Sequence, residues 1–236
     1  MKKLMLSLLA VPVLAFASGA ELHLDKAPDK SRDVAALQRG AKIFINYCLN
    51  CHSASYMRYN RLHDIGLADA QIRDNLLFTA DKVGEPMRIA MQRADAKQWF
   101  GAAPPDLTVI ARARASEFGS GSDWLYTYLR TFYRDDTRPT GWNNLVFANV
   151  GMPHVLWELQ GEQVLGEDHA LTLAKPGKLS VEDFDATVGD LVAYLKYMGE
   201  PVAELRKRLG IAVLLGLAVL FAFSYALKRE YWKDVH

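Results

Sequence analysis

Cys48-Leu49-Asn50-Cys51-His52 places the only two cysteines of a 236-residue chain three positions apart, with a histidine directly after the second. That spacing suits covalent attachment of a c-type haem. On one helical turn both thiols lie on the same face, where each can form a thioether to one vinyl group of a single haem. His52 then projects under the ring as the proximal iron ligand. A thioredoxin-like redox dithiol would need a strand ahead of the motif, and the segment before Cys48 reads as helix. A structural zinc site would need a second pair of ligands, and no further cysteine exists to supply it.

Two helices must frame such a group. Ser31 can cap a helix running to about Tyr47, with Val34, Leu37, Ala41, Phe44 and Ile45 at helical spacing and Gly40 on the same side. Ser180-Val181-Glu182-Asp183 opens a second, carrying Phe184, Val188, Leu191, Val192, Leu195 and Met198 to a stop at Gly199 and Pro201. Helix, haem motif, loops and closing helix follow the order of class I cytochromes c. The fold class is therefore read as mainly α, a class I cytochrome c-like domain with long loop insertions. Residues 53–179 hold six prolines; short helices are expected at 69–78, 86–97 and 122–132. No strand set with clear alternation is visible, and 143–165 form at most a short hairpin.

The two ends read as membrane signals. Met1-Lys2-Lys3, an apolar run to about Phe16 and small residues to Ala20 make 1–20 a secretory signal peptide. Residues 209–227 carry no charge; at about 1.5 Å per residue they cover ~28 Å, close to a bilayer's hydrocarbon core. Basic clusters flank the run on both sides, and Tyr225, Tyr231 and Trp232 supply interface anchors. The organisation expected is a signal peptide at 1–20, a periplasmic domain at 21–204, one transmembrane helix at 205–228 and a cytoplasmic tail at 229–236. Residues 21–204 carry 25 acidic and 20 basic side chains. Much of the excess lies between 158 and 190, a stretch able to steer a basic partner. Nothing points to nucleic acid.

An electron carrier needs a sixth ligand on the iron, and methionine raises the potential over histidine. Met57, Met87, Met91, Met152, Met198, His63 and His154 are the candidates. Met57 is too close to His52 to cross the ring easily. Met87, Met91 and Met198 lie on probable helix faces, where methionine is usually a packing residue. Met152 sits in Asn149-Val-Gly-Met-Pro-His154, between a glycine and a proline able to aim one side chain rigidly. The local pattern favours Met152 and leaves the others open.

Taken together, Cys48-Leu-Asn-Cys-His52, Ala103-Pro-Pro-Asp-Leu-Thr108 leading into Arg112-Ala-Arg114, Gly151-Met-Pro-His-Val-Leu-Trp-Glu-Leu-Gln160 and the C-terminal anchor resemble the cytochrome c1 family. That family supplies the haem subunit of the quinol–cytochrome c reductase (cytochrome bc1) complex. The resemblance covers essentially the whole mature chain. It implies Met152 as sixth ligand, the Pro105 carbonyl as acceptor of a hydrogen bond from His52, and Arg114 as partner of a haem propionate. Family members often carry a tyrosine downstream of that arginine, where this chain offers Trp124 or Tyr126. The implied function is one-electron relay from a Rieske iron–sulfur protein to a soluble c-type cytochrome. Cytochrome b would be the neighbour, in a dimeric complex of a bacterial inner membrane, with the haem domain in the periplasm and lipid around the anchor. No substrate bond changes on this chain itself. Two other readings are a free-standing membrane-anchored shuttle and a peroxidase-like domain with an open iron site.

Overall fold

The computed structural model describes residues 23–234; the signal peptide read at 1–20 lies outside the described residues. Helix α1, Val34–Ile43, begins at Asp33 rather than Ser31. The Asp33 carboxylate accepts the Ala36 N–H at 3.0 Å, while the Ser31 hydroxyl is turned to Asp29 at 2.6 Å and cannot cap. Beyond Ile43 the helix widens into a single π turn, Phe44–Cys48, closed by the Leu49 N–H on the Phe44 carbonyl at 2.9 Å. The Cys51 and His52 N–H groups both return to the Cys48 carbonyl, at 3.1 and 2.9 Å, so the three residues share one turn.

The closing helix, α7, spans Val181–Gly199 in the final order of the head. The Ser180 hydroxyl accepts the Asp183 N–H at 3.1 Å, and Phe184, Val188, Leu191, Val192, Leu195 and Met198 are all buried. Helices α1 and α7 cross at Gly40. A Cβ there would lie 2.1 Å from the Asp190 carbonyl oxygen and 2.8 Å from the Tyr194 Cβ, so only glycine permits the approach. Beside the crossing, buried Asp190 is held by Lys30 at 2.7 Å and Arg39 at 2.5 Å.

The middle of the chain departs from its expected layout. Strand β1, Ala54–Arg58, pairs antiparallel with β2, Pro86–Met87; between them lie a 3-10 turn, Tyr59–Ile65, and α2, Asp69–Asn75. The helix expected over 86–97 begins only at α3, Arg93–Phe100. Its first part is claimed by β1 and by Ser53, whose hydroxyl accepts the Ile89 N–H at 3.1 Å. Helix α4, Ile110–Ala113, leads into α5, Gly121–Arg130, which opens on a reciprocal Ser120–Asp123 cap. Strand β3, Phe132–Arg134, pairs with β4, Trp142–Asn144. After the short α6, Trp157–Gln160, strands β5, Gly161–Leu165, and β6, Leu171–Pro176, form a hairpin. The hairpin expected within 143–165 is thus displaced to 161–176. These strands are two to six residues long and β6 is almost wholly exposed, so none leaves an apolar alternation in the sequence.

The fold class is mainly α with a class I cytochrome c-like frame, and α8, Ala203–Tyr231, is the one long apolar helix among the described residues. It has a mean hydropathy of 2.3 over its most apolar window and buries none of that window against the rest of the chain. A helix apolar all round that packs on nothing in its own chain belongs in lipid or against other membrane helices. At the junction with the head, Glu204 pairs with Arg32 at 2.5 Å and Lys207 at 3.0 Å, and Glu200 pairs with Arg206 and, at 3.6 Å, with Arg112.

Half of the acidic cluster in 158–190 is paired within the fold. Glu158 meets Lys178 at 2.5 Å, Glu162 meets Lys175 at 3.0 Å, Asp185 meets Arg130 at 2.5 Å, and Asp190 has its two cations. Among the described residues only Glu167, Asp168, Glu182 and Asp183 of that cluster lack an ion-pair partner. Long-range steering would have to come from those four.

Candidate haem site

The π turn, α5, α7, the Pro104–Pro105 segment and the loop through Met152 enclose a cavity of about 360 Å³. Cys48, Cys51, His52, Pro105, Arg114 and Met152 all line it. The remaining wall is mostly apolar, with Leu125 and Leu129 from α5, Leu191 and Leu195 from α7, and Leu107 and Ile110 from the segment between. The other candidates for the sixth ligand do not reach it. Met57, Met87 and Met198 are buried in the core, His63 is tied to Asp69 at 2.6 Å, and Met91 is absent from the cavity wall.

The cysteines are not joined to each other. Cys48 is buried, and desolvation, reinforced by Cys51, pushes its thiol up to about 12. A redox dithiol needs the opposite shift, toward thiolate. The fit is instead to a group that takes both sulfurs covalently.

His52 Nδ1 lies 2.8 Å from the Pro105 carbonyl oxygen, so Nδ1–H donates and Nε2 is the bare nitrogen. Burial lowers the imidazole pKa, with the Pro105 hydrogen bond acting weakly against it; the neutral ring is the ligating form. Asp106 explains why the Pro105 carbonyl stays in place. Its carboxylate accepts the Ser55 N–H at 2.8 Å and the Thr108 N–H at 2.9 Å, while the Leu107 N–H reaches the Ser53 carbonyl at 2.9 Å. The Pro-Pro-Asp-Leu-Thr segment is thereby stapled to the residues that follow His52. Burial opposes the Asp106 charge, but these hydrogen bonds outweigh it and keep the carboxyl below its usual range.

Of the two arginines after that segment, Arg112 is exposed and pairs with Glu200, whereas Arg114 turns into the cavity wall. Its guanidinium lies 4.5 Å from the Trp124 ring centre and 5.9 Å from that of Phe147. Among the described residues it has no carboxylate partner, and a cation unpaired at an apolar cavity suits an anionic substituent. Trp124 lines the cavity; Tyr126 does not, its ring lying under Arg130 at 4.4 Å.

Two residues that position the Met152 loop, Asn143 and Asn144, carried no signal in the sequence. The Asn143 side chain accepts the Asn149 N–H at 2.8 Å, and the Asn144 side chain accepts those of Val146 and Phe147 at 2.9 and 3.1 Å. Asn149 itself takes a left-handed φ of 60°. Beyond the methionine, His154 is 2% exposed, with its ring stacked on Phe132 at 4.9 Å and edge-on to Trp142 at 5.0 Å. Burial pushes its pKa down to about 4, and its Nε2 has no hydrogen-bond partner among the described residues. This histidine anchors the loop and faces away from the cavity wall.

A family model for the Cytochrome C1 family matches residues 25–235. The chain belongs to the cytochrome c1 family. It is 48% identical to the cytochrome c1 of Allochromatium vinosum across the whole of both proteins, and 30% identical to that of Rhodospirillum rubrum over 86% of this chain and 83% of the relative. It is also 52% identical to a Nitrosomonas europaea protein named as the gamma subunit of ammonia monooxygenase, over all of this chain and 98% of that one. Cytochrome c1 proteins carry a covalent c-type haem, and Cys48 and Cys51 stand at the attachment spacing. Their role is electron transfer in the respiratory chain within the bc1 complex, and this chain shares it.

Proposed function

We propose that this chain relays single electrons from a Rieske iron–sulfur protein to a soluble c-type cytochrome, holding the haem by Cys48 and Cys51 with His52 and Met152 as axial ligands. When bound, the haem supplies a one-electron iron couple. The observation that carries the reading is the convergence of two thiols, an imidazole, a thioether and an unpaired guanidinium on one apolar cavity.

Each residue has a separable task. Cys48 and Cys51 fix the group in place, and His52 presents Nε2 because Pro105 occupies Nδ1. Met152 would supply the second protein ligand to the iron and would leave no opening for oxygen, peroxide or a substrate. Leucines from α5 and α7 keep water away and so limit the reorganisation that each electron would otherwise require. Arg114 takes a propionate. On this reading the thiols, the imidazole and the guanidinium of the wall are all committed to holding the haem, which leaves none of them for bond chemistry and disfavours a peroxidase-like domain.

Export by the 1–20 signal would put the head, 21–204, in the periplasm, with α8 crossing a bacterial inner membrane once and the residues after it in the cytoplasm. Cytochrome b and the Rieske protein would be the neighbours, in a dimeric complex. A tag on this chain, mild-detergent purification and a reduced-minus-oxidised spectrum test the partners. The expected result is b-type and c-type bands together, both reduced by quinol. A c-type band alone would point to a free-standing shuttle. Co-purifying ammonia oxidation without b-type haem would instead favour the role named for the Nitrosomonas relative.

A further inference from the structure

Tyr128 lines the cavity from α5 and is 8% exposed. Its hydroxyl donates to the Met152 Sδ at 3.4 Å, and among the described residues that sulfur is its only partner. A thioether is a weak acceptor, so a buried phenol satisfied by one alone is a poor choice for packing. Phenylalanine would fill the same space without burying an O–H group.

The ring is held on two sides and its backbone at a third point. It stacks on Trp124 at 4.8 Å with 14° between planes, and meets the Phe132 ring edge-on at 5.1 Å. The Asn144 side chain donates to the Tyr128 carbonyl at 2.7 Å. Asn144 is also the residue that organises the loop leading to Met152, so phenol and sulfur are referenced to one side chain. The Arg114 guanidinium also lies over the Trp124 ring, 4.5 Å from its centre. An unbroken set of contacts therefore joins the cation of the cavity wall to the sulfur.

We propose that Tyr128 is a positioning residue for Met152, whose hydroxyl engages one sulfur lone pair, leaves the other for the iron and raises the reduction potential. This rests on Met152 being the axial ligand. A thioether sulfur has two lone pairs, and an O–H on one of them withdraws density from the other. Ferric iron depends on ligand donation more than ferrous iron does, so a weaker donor favours the reduced state.

Potentiometric titration of the detergent-purified holoprotein tests this. Tyr128→Phe should shift the one-electron equilibrium constant toward the oxidised form by about fivefold, or about 40 mV at 59 mV per tenfold change. The near-infrared methionine-to-iron charge-transfer band should persist. Replacing Tyr128 with 3-fluorotyrosine makes the phenol a stronger donor at nearly the same shape, and should move the potential upward. A mere packing role predicts no such opposition of sign. An unchanged potential in Tyr128→Phe, or shifts of the same sign in both proteins, would overturn the proposal. If Tyr128→Phe does not accumulate, the fluorotyrosine protein alone decides by the sign of its shift. Met152→Ala, titrated alongside, separates the failures: a sharp fall there with none in Tyr128→Phe rejects only the role of Tyr128, whereas no fall in either rejects Met152 as ligand.

Discussion

Met152→Ala is expected to keep the haem attached through Cys48 and Cys51 while its midpoint potential falls by on the order of a few tenths of a volt, within the ~0.8 V that axial ligation spans. Attachment depends on the two thiols alone, so the pyridine haemochrome yield should match the parent protein. The fall follows because water or another hard donor in place of the thioether stabilises ferric iron. Redox titration in detergent reads the shift, and carbon monoxide binding to the reduced protein, absent in the parent, should appear. A potential close to that of the parent would remove Met152 from the iron. His154 would not be a ready substitute, since Phe132 and Trp142 hold its ring outside the cavity wall.

Gly40→Ala carries the largest expected cost to stability. Its Cβ would meet the backbone carbonyl of Asp190 at 2.1 Å, and that helix segment cannot slide away without disturbing the Lys30 and Arg39 pairs. Overpacking against backbone should cost about 3 kcal/mol, the upper end for such insertions. The crossing of α1 and α7 positions both the π turn bearing Cys48 and the leucines of the cavity wall, so holoprotein yield should fall as well. Gly210→Ala is the matched control, because nothing lies within 4 Å of a Cβ there. Thermal unfolding of both variants reads the difference. A Gly40→Ala protein within ~0.5 kcal/mol of the parent, the range of ordinary surface changes, would mean the two helices can separate freely.

Features whose chemistry requires fixed spacing were legible in the chain. The haem box is one, since two thioethers and an imidazole on one group tolerate no other arrangement. Helix α7 is another: an amphipathic helix with a serine cap and a Gly-Glu-Pro stop declares its limits locally. The start of α1 was misread by two residues because Ser31 and Asp33 are both good caps, and the choice turns on Asp29 having already taken the serine hydroxyl. The three small sheets left no trace. Pro86–Met87 is a strand only because Ala54–Arg58 lies beside it, and its hydrogen bonds cross some thirty residues of chain.

The site divides along the same line. Residues that could touch the haem have types that announce themselves, such as cysteine, histidine, methionine and arginine. Residues that hold those side chains in place do not. Asn143 and Asn144 read as an ordinary polar turn until their hydrogen bonds to the 146–149 backbone are seen. Asp106 reads as part of a motif, and its reason emerges only from the Ser55 N–H it binds across the turn. The acidic stretch 158–190 shows the converse, since only the fold tells which of the charges counted along the chain meet partners and which stay free.

The measurement that tests the central claim most directly is near-infrared magnetic circular dichroism of the oxidised, detergent-purified protein. Ligation by His52 and Met152 predicts a low-spin ferric centre with a methionine-to-iron charge-transfer band that is lost in Met152→Ala. A bis-histidine band, or a high-spin centre with water on the iron, would contradict the account.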